Sequence, residues 1–401
     1  MAPRLRSAGA SFDALPEPVF RMLFLALPVD ERARAACVCR SWRAFLADPS
    51  LWQVLDLSPA GGVAAARVTE NLVRGAVARA AGQLRTLSIN DDPDWLHIAF
   101  LVELIESNGA ELQQVNAGVW LSTAQLRNVF AAAPRLQVLN GRVMDQCTAL
   151  LPVLRKEPPY APVRVDELVV CLQDTEGAEV LALAAAVAAH EPLECLRLKN
   201  GRLAGGVNAL VDAAATRLVS VLELDDCATN AESIQALVRL LQRGSLTKLV
   251  VKCDEFPVAP EATLLELCAA LRICRTLTHL KFWLNPVNGL SHRVVTELLD
   301  AAAELPALFL LDLSYSYLLD RAAAGRAFGA LLRADLPSLR ILLVFNCPFG
   351  DEGLAPLLDG LAANTHLRAL FCGENETSEA FERDRLEPAL AALAARAEHD
   401  A

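Results

Sequence analysis

The sequence predicts an α/β protein. A short three-helix module is followed by a solenoid of strand–helix repeats, with a parallel concave sheet and helices on the convex side. Two observations carry this. The pattern L-x-x-L-x-L recurs eleven times between Leu84 and Leu367, at a mean spacing of about 28 residues, with alanine- and leucine-rich segments of helical spacing in between. Residues 15–52 lie outside that rhythm and bring together two Leu-Pro pairs, a cysteine and two tryptophans.

The N-terminal module comes first. Pro16 and Pro18 suit the entry to a helix, where a missing N–H is not needed. Val19, Leu23 and Leu27 then recur at i, i+4, i+8 and define one apolar face. Pro28 ends this helix, and Asp30 is a candidate N-cap for the next. Cys39, Trp42, Phe45 and Leu46 again fall at helical spacing, with Trp42 expected inside the module. Three helices this short have a small core, so an exposed apolar face that binds something is expected.

The stretch LPEPVFRMLFLALPVDERARAACVCRSWRAFLADPSLW, with Leu15-Pro16, Leu27-Pro28, Val38-Cys39-Arg40, Trp42, Asp48-Pro49 and Leu51-Trp52 in that order, resembles the F-box. The resemblance implies binding to a Skp-family adaptor and through it to a cullin ubiquitin ligase. It also implies that Leu15, Pro16, Leu23, Leu27, Pro28, Leu51 and Trp52 form or support the adaptor-binding face.

The repeats follow without a linker. Trp52-Leu55-Leu57 reads as an irregular first unit, and Gly61-Gly62 as a turn. Full units begin at Leu84, Leu112, Leu136, Val165, Leu193, Val219, Leu246, Leu277, Leu308, Leu339 and Leu367. A strand then a helix at fixed spacing stacks into a parallel sheet with a wall of helices. The array resembles the leucine-rich repeat, in its helical subtype of roughly 28 residues. Prolines at 152, 158, 159 and 162 are read as an irregular loop over 144–164, a tolerated insertion rather than a functional one. A polar-rich helix around Ser378–Ala395 is expected to cap the far end. The resulting division is 12–52 for the F-box, 53–377 for the solenoid and 378–401 for the cap and tail.

Period-2 alternation turns the residues between the strand leucines to the open face of the sheet. In the middle repeats these are Arg197, Lys199, Glu223, Asp225, Val250, Lys252 and Lys281. They read as a self-neutralising ladder of surface pairs more readily than as a charged docking strip. Toward the C-terminus the same positions become Trp283, Tyr315, Leu343, Phe345 and Phe371. Exposed aromatics at such positions mark a docking site for a partner protein, unless a C-terminal segment folds over them.

Composition narrows the function. The chain has 401 residues, 54% hydrophobic, and a net charge of −11, which argues against a nucleic-acid partner. Neither an apolar leader nor a membrane-spanning run is evident, and no C-terminal C-a-a-X box. Eleven dispersed cysteines without C-x-x-C read as buried thiols of a cytoplasmic or nuclear protein, and no metal is expected. Asn375-Glu376-Thr377 matches a glycosylation sequon, but Asn375 is the repeat asparagine, expected to bond loop backbone. Phosphate-binding, nucleophile-elbow and metalloprotease motifs are all missing. The chain is therefore expected to be no enzyme and to need no cofactor. By resemblance it is a substrate receptor of an SCF-type ligase, holding an unknown target protein. The alternative is a non-degradative leucine-rich-repeat scaffold or regulator that binds a partner protein.

Overall fold

A computed structural model of the chain describes residues 16–58, 61–64, 67–89, 98–173, 175–190, 193–201, 206–227, 230–256, 260–286, 291–317 and 319–399; Leu15 lies outside them. The chain divides into two compact units, residues 1–143 with 156–165, and residues 144–155 with 166–401.

The first unit opens with three helices, α1 (Glu17–Leu25), α2 (Val29–Ala35) and α3 (Arg40–Phe45), then a 3-10 turn at Pro49–Trp52. Pro16 caps α1 and Pro18 sits in its first turn. The face α1 buries is Phe20 and Phe24, one residue round from the expected Val19–Leu23–Leu27 face. Both faces have i, i+4 spacing. The aromatic one wins because it has ring partners: Phe20 meets Phe45 at 5.1 Å and Phe24 meets Trp42 edge-on at 5.2 Å. Trp42 itself is only half-buried, at the rim of this cluster rather than inside it. Nor is Asp30 the cap of α2. Pro28 holds that place, and Asp30 is buried in the first turn, paired with Arg34 and Arg67. Cys37 and Val38 lie in a turn between helices, and the Cys39 thiol accepts the Trp42 N–H as the cap of α3.

Arg32 binds this module together. Its buried guanidinium donates to the carbonyls of Phe24 (3.0 Å), Leu25 (3.2 Å), Leu27 (3.1 Å) and Leu51 (2.6 Å). Three of these are carbonyls at and just beyond the C-terminal end of α1, where a helix runs short of its own donors; that of Phe24 also accepts the Leu27 N–H at 3.3 Å. Burial lowers the Arg32 pKa, yet arginine remains charged throughout the working range.

The repeats of the first unit are β1 (Val54–Leu57), α4 (Glu70–Ala80), β2 (Thr86–Ile89), α5 (Ile98–Asn108), β3 (Gln114–Leu121), α6 (Thr123–Ala132) and β4 (Val138–Gln146), which runs to the unit's edge. The strands pair in parallel in chain order, with Leu55 beside Leu87, Leu87 beside Val115 and Val115 beside Leu139. Trp52 is fully buried, donates to the Leu46 carbonyl at 2.8 Å and lies under the guanidinium groups of Arg32 and Arg79. Arg79 belongs to α4, so the three-helix module and the first repeat share one core.

The second unit begins with α7 (Cys147–Leu154), inside the stretch read as an irregular loop. The helix forms despite Pro152 because Cys147, Leu150, Val153 and Leu154 are buried along one side, and their packing outweighs one lost backbone bond. The remaining elements are β5 (Val163–Cys171), α8 (Gly177–Ala189), β6 (Cys195–Gly201), α9 (Val207–Arg217), β7 (Val221–Cys227), α10 (Ala231–Gln242), β8 (Lys248–Phe256), α11 (Glu261–Leu271), β9 (His279–Pro286), α12 (His292–Ala303), β10 (Leu310–Asp312), α13 (Arg321–Arg333), β11 (Ile341–Leu343), α14 (Gly350–Ala363) and β12 (Ala369–Phe371). Each strand pairs in parallel with the next, Leu196–Leu222–Leu249–Leu280–Leu311–Leu342–Leu370 forming one continuous row. Consecutive helices pack side by side. Of the expected strand apolar residues, all whose side chains are described are buried.

Between α13 and α14 the packing is backbone on backbone. A Cβ at Gly325 would lie 1.9 Å from the Gly353 carbonyl oxygen, and one at Gly329 2.2 Å from that of Pro356. At Gly360 it would lie 2.4 Å from the Gly329 oxygen. The chain closes with Ser378 capping α15 (Glu379–Phe381), a π-helical turn at Glu382–Leu386 and α16 (Glu387–His399). Leu386 and Leu393 are buried, Arg385 pairs with Asp359, and Arg396 donates to the Asn364 carbonyl. The final helix thus covers the last repeat at α14 and β12.

Candidate functional site

Two surfaces stand out, one in each unit. In the first, turning Phe20 and Phe24 inward leaves Met22, Leu23 and Leu25 of α1 exposed, Met22 by 64%. Val38, between α2 and α3, is 65% exposed. Of the residues assigned to adaptor binding, Pro16 and Leu23 are exposed, while Leu27 and Pro28 are half-buried. Leu51 and Trp52 have no exposed surface and can only support the face from below. Met22, Leu25 and Val38 are exposed apolar residues that periodicity missed. They became legible only when the aromatic face was known to point inward.

In the second unit, two parallel rows of side chains cross the open face of the sheet. One row runs Arg197, Glu223, Val250, Lys281, Asp312, Leu343 and Phe371, each in register with the next. Its charges pair along the row. Arg197 reaches Glu223 at 3.4 Å and Glu167 at 3.7 Å, Lys248 reaches Glu223 at 2.7 Å, and Lys281 pairs with Asp312. Asp312 is almost wholly buried and also accepts the Ser314 N–H at 3.0 Å.

The second row begins with Lys199, Asp225 and Lys252 in register and passes to Trp283 on β9. Tyr315 lies tilted against Trp283 with ring centroids 4.7 Å apart, and Phe345 against Tyr315 at 5.8 Å. The order is fixed by backbone. Tyr315 adopts a left-handed conformation and donates its N–H to the Phe345 carbonyl at 2.9 Å, while the Phe345 N–H goes to the Ser314 hydroxyl at 3.1 Å. Beyond Phe345 the next strand offers Gly373, where a Cβ would lie 3.3 Å from the ring. The ammonium groups of Lys252 and Lys281 each sit 4.8 Å from the Trp283 ring centre, within cation–π range.

The five residues expected to dock a partner are therefore brought together, with Phe371 53% and Tyr315 40% exposed. The final helix leaves Tyr315 and Phe371 open to solvent. Past the ends of these strands lies a cleft of about 200 Å³ between Tyr315, Ser316, Tyr317, Asn346, Pro348 and Glu376. Sequence reading missed this cleft because it is built from left-handed turn residues, Tyr315, Asn346 and Glu376 among them, that carry no periodicity.

Asn375 is buried and bonds the backbone of Cys347, Val344 and Cys372. Burial pushes the thiols of Cys268, Cys347 and Cys372 up to about 12, which keeps them protonated and unreactive. Among the described residues no group of three or more His, Cys, Asp or Glu is placed to hold a metal, and no helix is long and apolar enough to cross a membrane.

Residues 12–58 match the F-box-like family model, a span that takes in α1 to α3 and β1. The chain is an F-box-like module joined to an array of leucine-rich strand–helix repeats. None of the curated proteins matches it. Among solved structures it is similar to the leucine-rich repeat-containing protein LegL7 from Legionella pneumophila, at 15% identity and a TM-score of 0.38, covering 79% of this chain and 98% of that one. The repeat assignment rests on the register and burial above, not on that likeness.

Proposed function

We propose that this protein is a non-catalytic substrate receptor of an SCF-type ubiquitin ligase, acting in the cytoplasm or nucleus. Its F-box-like module takes a Skp-family adaptor, and through it a cullin, while the aromatic row of the second unit takes a target protein. The observation that carries the reading is the F-box-like match over a module whose aromatic core is complete, yet whose first helix leaves Met22, Leu23 and Leu25 in solvent. An exposed apolar cluster on a well-formed core has no structural use and is best explained by a partner. Carrying adaptor and target on one chain makes their encounter intramolecular, so affinity for each converts into proximity.

The test is affinity purification of the full chain from cells, with three variants. Leu23→Glu/Leu25→Glu, both at exposed positions, should lose the adaptor and cullin and keep the target. Phe345→Ala/Phe371→Ala should do the reverse. Lys199→Ala/Lys252→Ala should cost little. Retention of adaptor by the Leu23→Glu/Leu25→Glu protein at the wild-type level would refute the adaptor assignment. Recovery of an adaptor without a cullin would favour the scaffold alternative.

A further inference from the structure

The aromatic row is not electrically uniform, and its ends differ in sign. At one end Lys252 lies over Trp283, and among the described residues no carboxylate is within ion-pair distance of it. Lys281 lies over the same ring but is already paired with buried Asp312. At the other end the cleft is walled by the rings of Tyr315 and Tyr317 and by the carboxylate of Glu376. Glu376 pairs with Arg321 at 2.8 Å but stays 59% exposed, so that bond is weak and exchangeable. Glu374 is also exposed nearby in sequence. Tyrosine faces beside a carboxylate suit a lysine or arginine side chain. Between the ends, the rings of Trp283, Tyr315 and Phe345 form an uncharged, largely apolar surface.

We infer that the row recognises an extended peptide segment of its partner that crosses the strands, with an acidic residue at Lys252, an apolar or aromatic residue over Tyr315 and a basic residue in the cleft at Glu376. This deepens, and rests on, the reading of the aromatic row as the target-docking surface. Spacing follows from the sheet. Lys252 is on β8 and Glu376 lies beyond the end of β12, four strand steps across and so at least about 19 Å away. An extended chain covers that in about six residues. Charge complementarity selects this occupant over a wholly acidic or wholly basic one, because either would set one of its charges against a like charge on the row.

The experiment uses the purified full chain and an array of synthetic dodecapeptides. One set carries an acid and a base six positions apart around a central Phe or Leu, in both directions. Two control sets carry acids at both positions or bases at both. The acid–base set should be retained at least tenfold better than either control. Lys252→Glu should transfer the preference to the two-base set, and Glu376→Lys to the two-acid set. Equal retention of all three sets, or a preference unmoved by these changes, overturns the inference while leaving the docking surface standing, provided that Trp283→Ala/Phe345→Ala abolishes retention. Retention that survives Trp283→Ala/Phe345→Ala, or none by the wild-type chain, overturns both.

Discussion

The seam between α13 and α14 allows one substitution to be tested against its own opposite. Replacing glycine by alanine inside a helix normally gains ~1 kcal/mol, because alanine loses less backbone freedom on folding. At Gly75 in α4 the nearest atom to an added Cβ is the Arg79 guanidinium, 3.1 Å away at the end of a flexible side chain. Gly75→Ala should therefore stabilise the first unit by ~0.5–1 kcal/mol. At Gly329 the obstacle is the Pro356 carbonyl oxygen at 2.2 Å, which is backbone and moves only with its helix. Restoring an ordinary C···O contact of ~3.3 Å means parting the helices by ~1 Å. A gap of that size forfeits a quarter to a half of each contact made across it, here those of Phe328, Leu332, Leu354, Leu357 and Leu361, all buried. Overpacking of this kind costs ~3 kcal/mol, and the helix-propensity gain offsets ~1 of it. The net loss of ~2 kcal/mol should speed amide exchange in residues 321–363 about 30-fold, read by mass spectrometry on the full chain. Slower exchange there in Gly329→Ala, matching the response of α4 to Gly75→Ala, would refute backbone contact at this seam.

Lys281→Ala would strand the Asp312 carboxylate, and should lower stability by ~3 kcal/mol, with Asp312→Asn added on top recovering at least half in chemical denaturation. Arg32→Ala should unfold the F-box-like module and abolish adaptor pull-down. Arg32→Lys should rescue neither, since one ammonium cannot serve four carbonyls in the guanidinium's fork. Burial pushes the Asp335 carboxyl up, but hydrogen bonds from Thr365 and His366 outweigh it and hold the group far below the usual carboxylate range. Because the folded state binds its proton less readily, the contribution is complete above the ordinary aspartate range of ~4 and is lost as pH falls below it. Asp335→Asn should flatten the acid limb of the stability profile between about pH 5 and 2, measured by thermal unfolding.

The strand leucines were legible because a half-buried parallel strand leaves no choice of which residues face in, and a repeat displays that choice many times over. The aromatic row was legible for the same reason, as the alternate positions of the same strands. Short helices are harder. Val19–Leu23–Leu27 and Phe20–Phe24 have equal helical spacing, and the deciding fact, that Trp42 and Phe45 lie opposite the second, is tertiary. Pro152 and the seam glycines Gly325, Gly329, Gly353 and Gly360 misled or went unread for a related reason. Local propensity counts each as a helix breaker, whereas close contact with a neighbouring backbone turns a glycine into a fitted part. Asp312 and Asp30 look like surface residues in sequence, and the cations paired with them, with the Ser314 N–H at Asp312, make their burial tolerable.

The shared burial of Trp52 has a practical consequence for anyone who would treat the F-box-like module as a detachable cassette. Cutting the chain after residue 52, where the motif itself ends, would strip Trp52 of Arg79 and remove Leu55 and Leu57, which follow directly from its turn. A graft made at that border would carry its own sticky wound into the new host, and its failure would say nothing about adaptor affinity. A transplant that includes α4, through Ala80, takes the missing wall with it. In this protein the smallest exchangeable part is larger than the motif by which it is recognised.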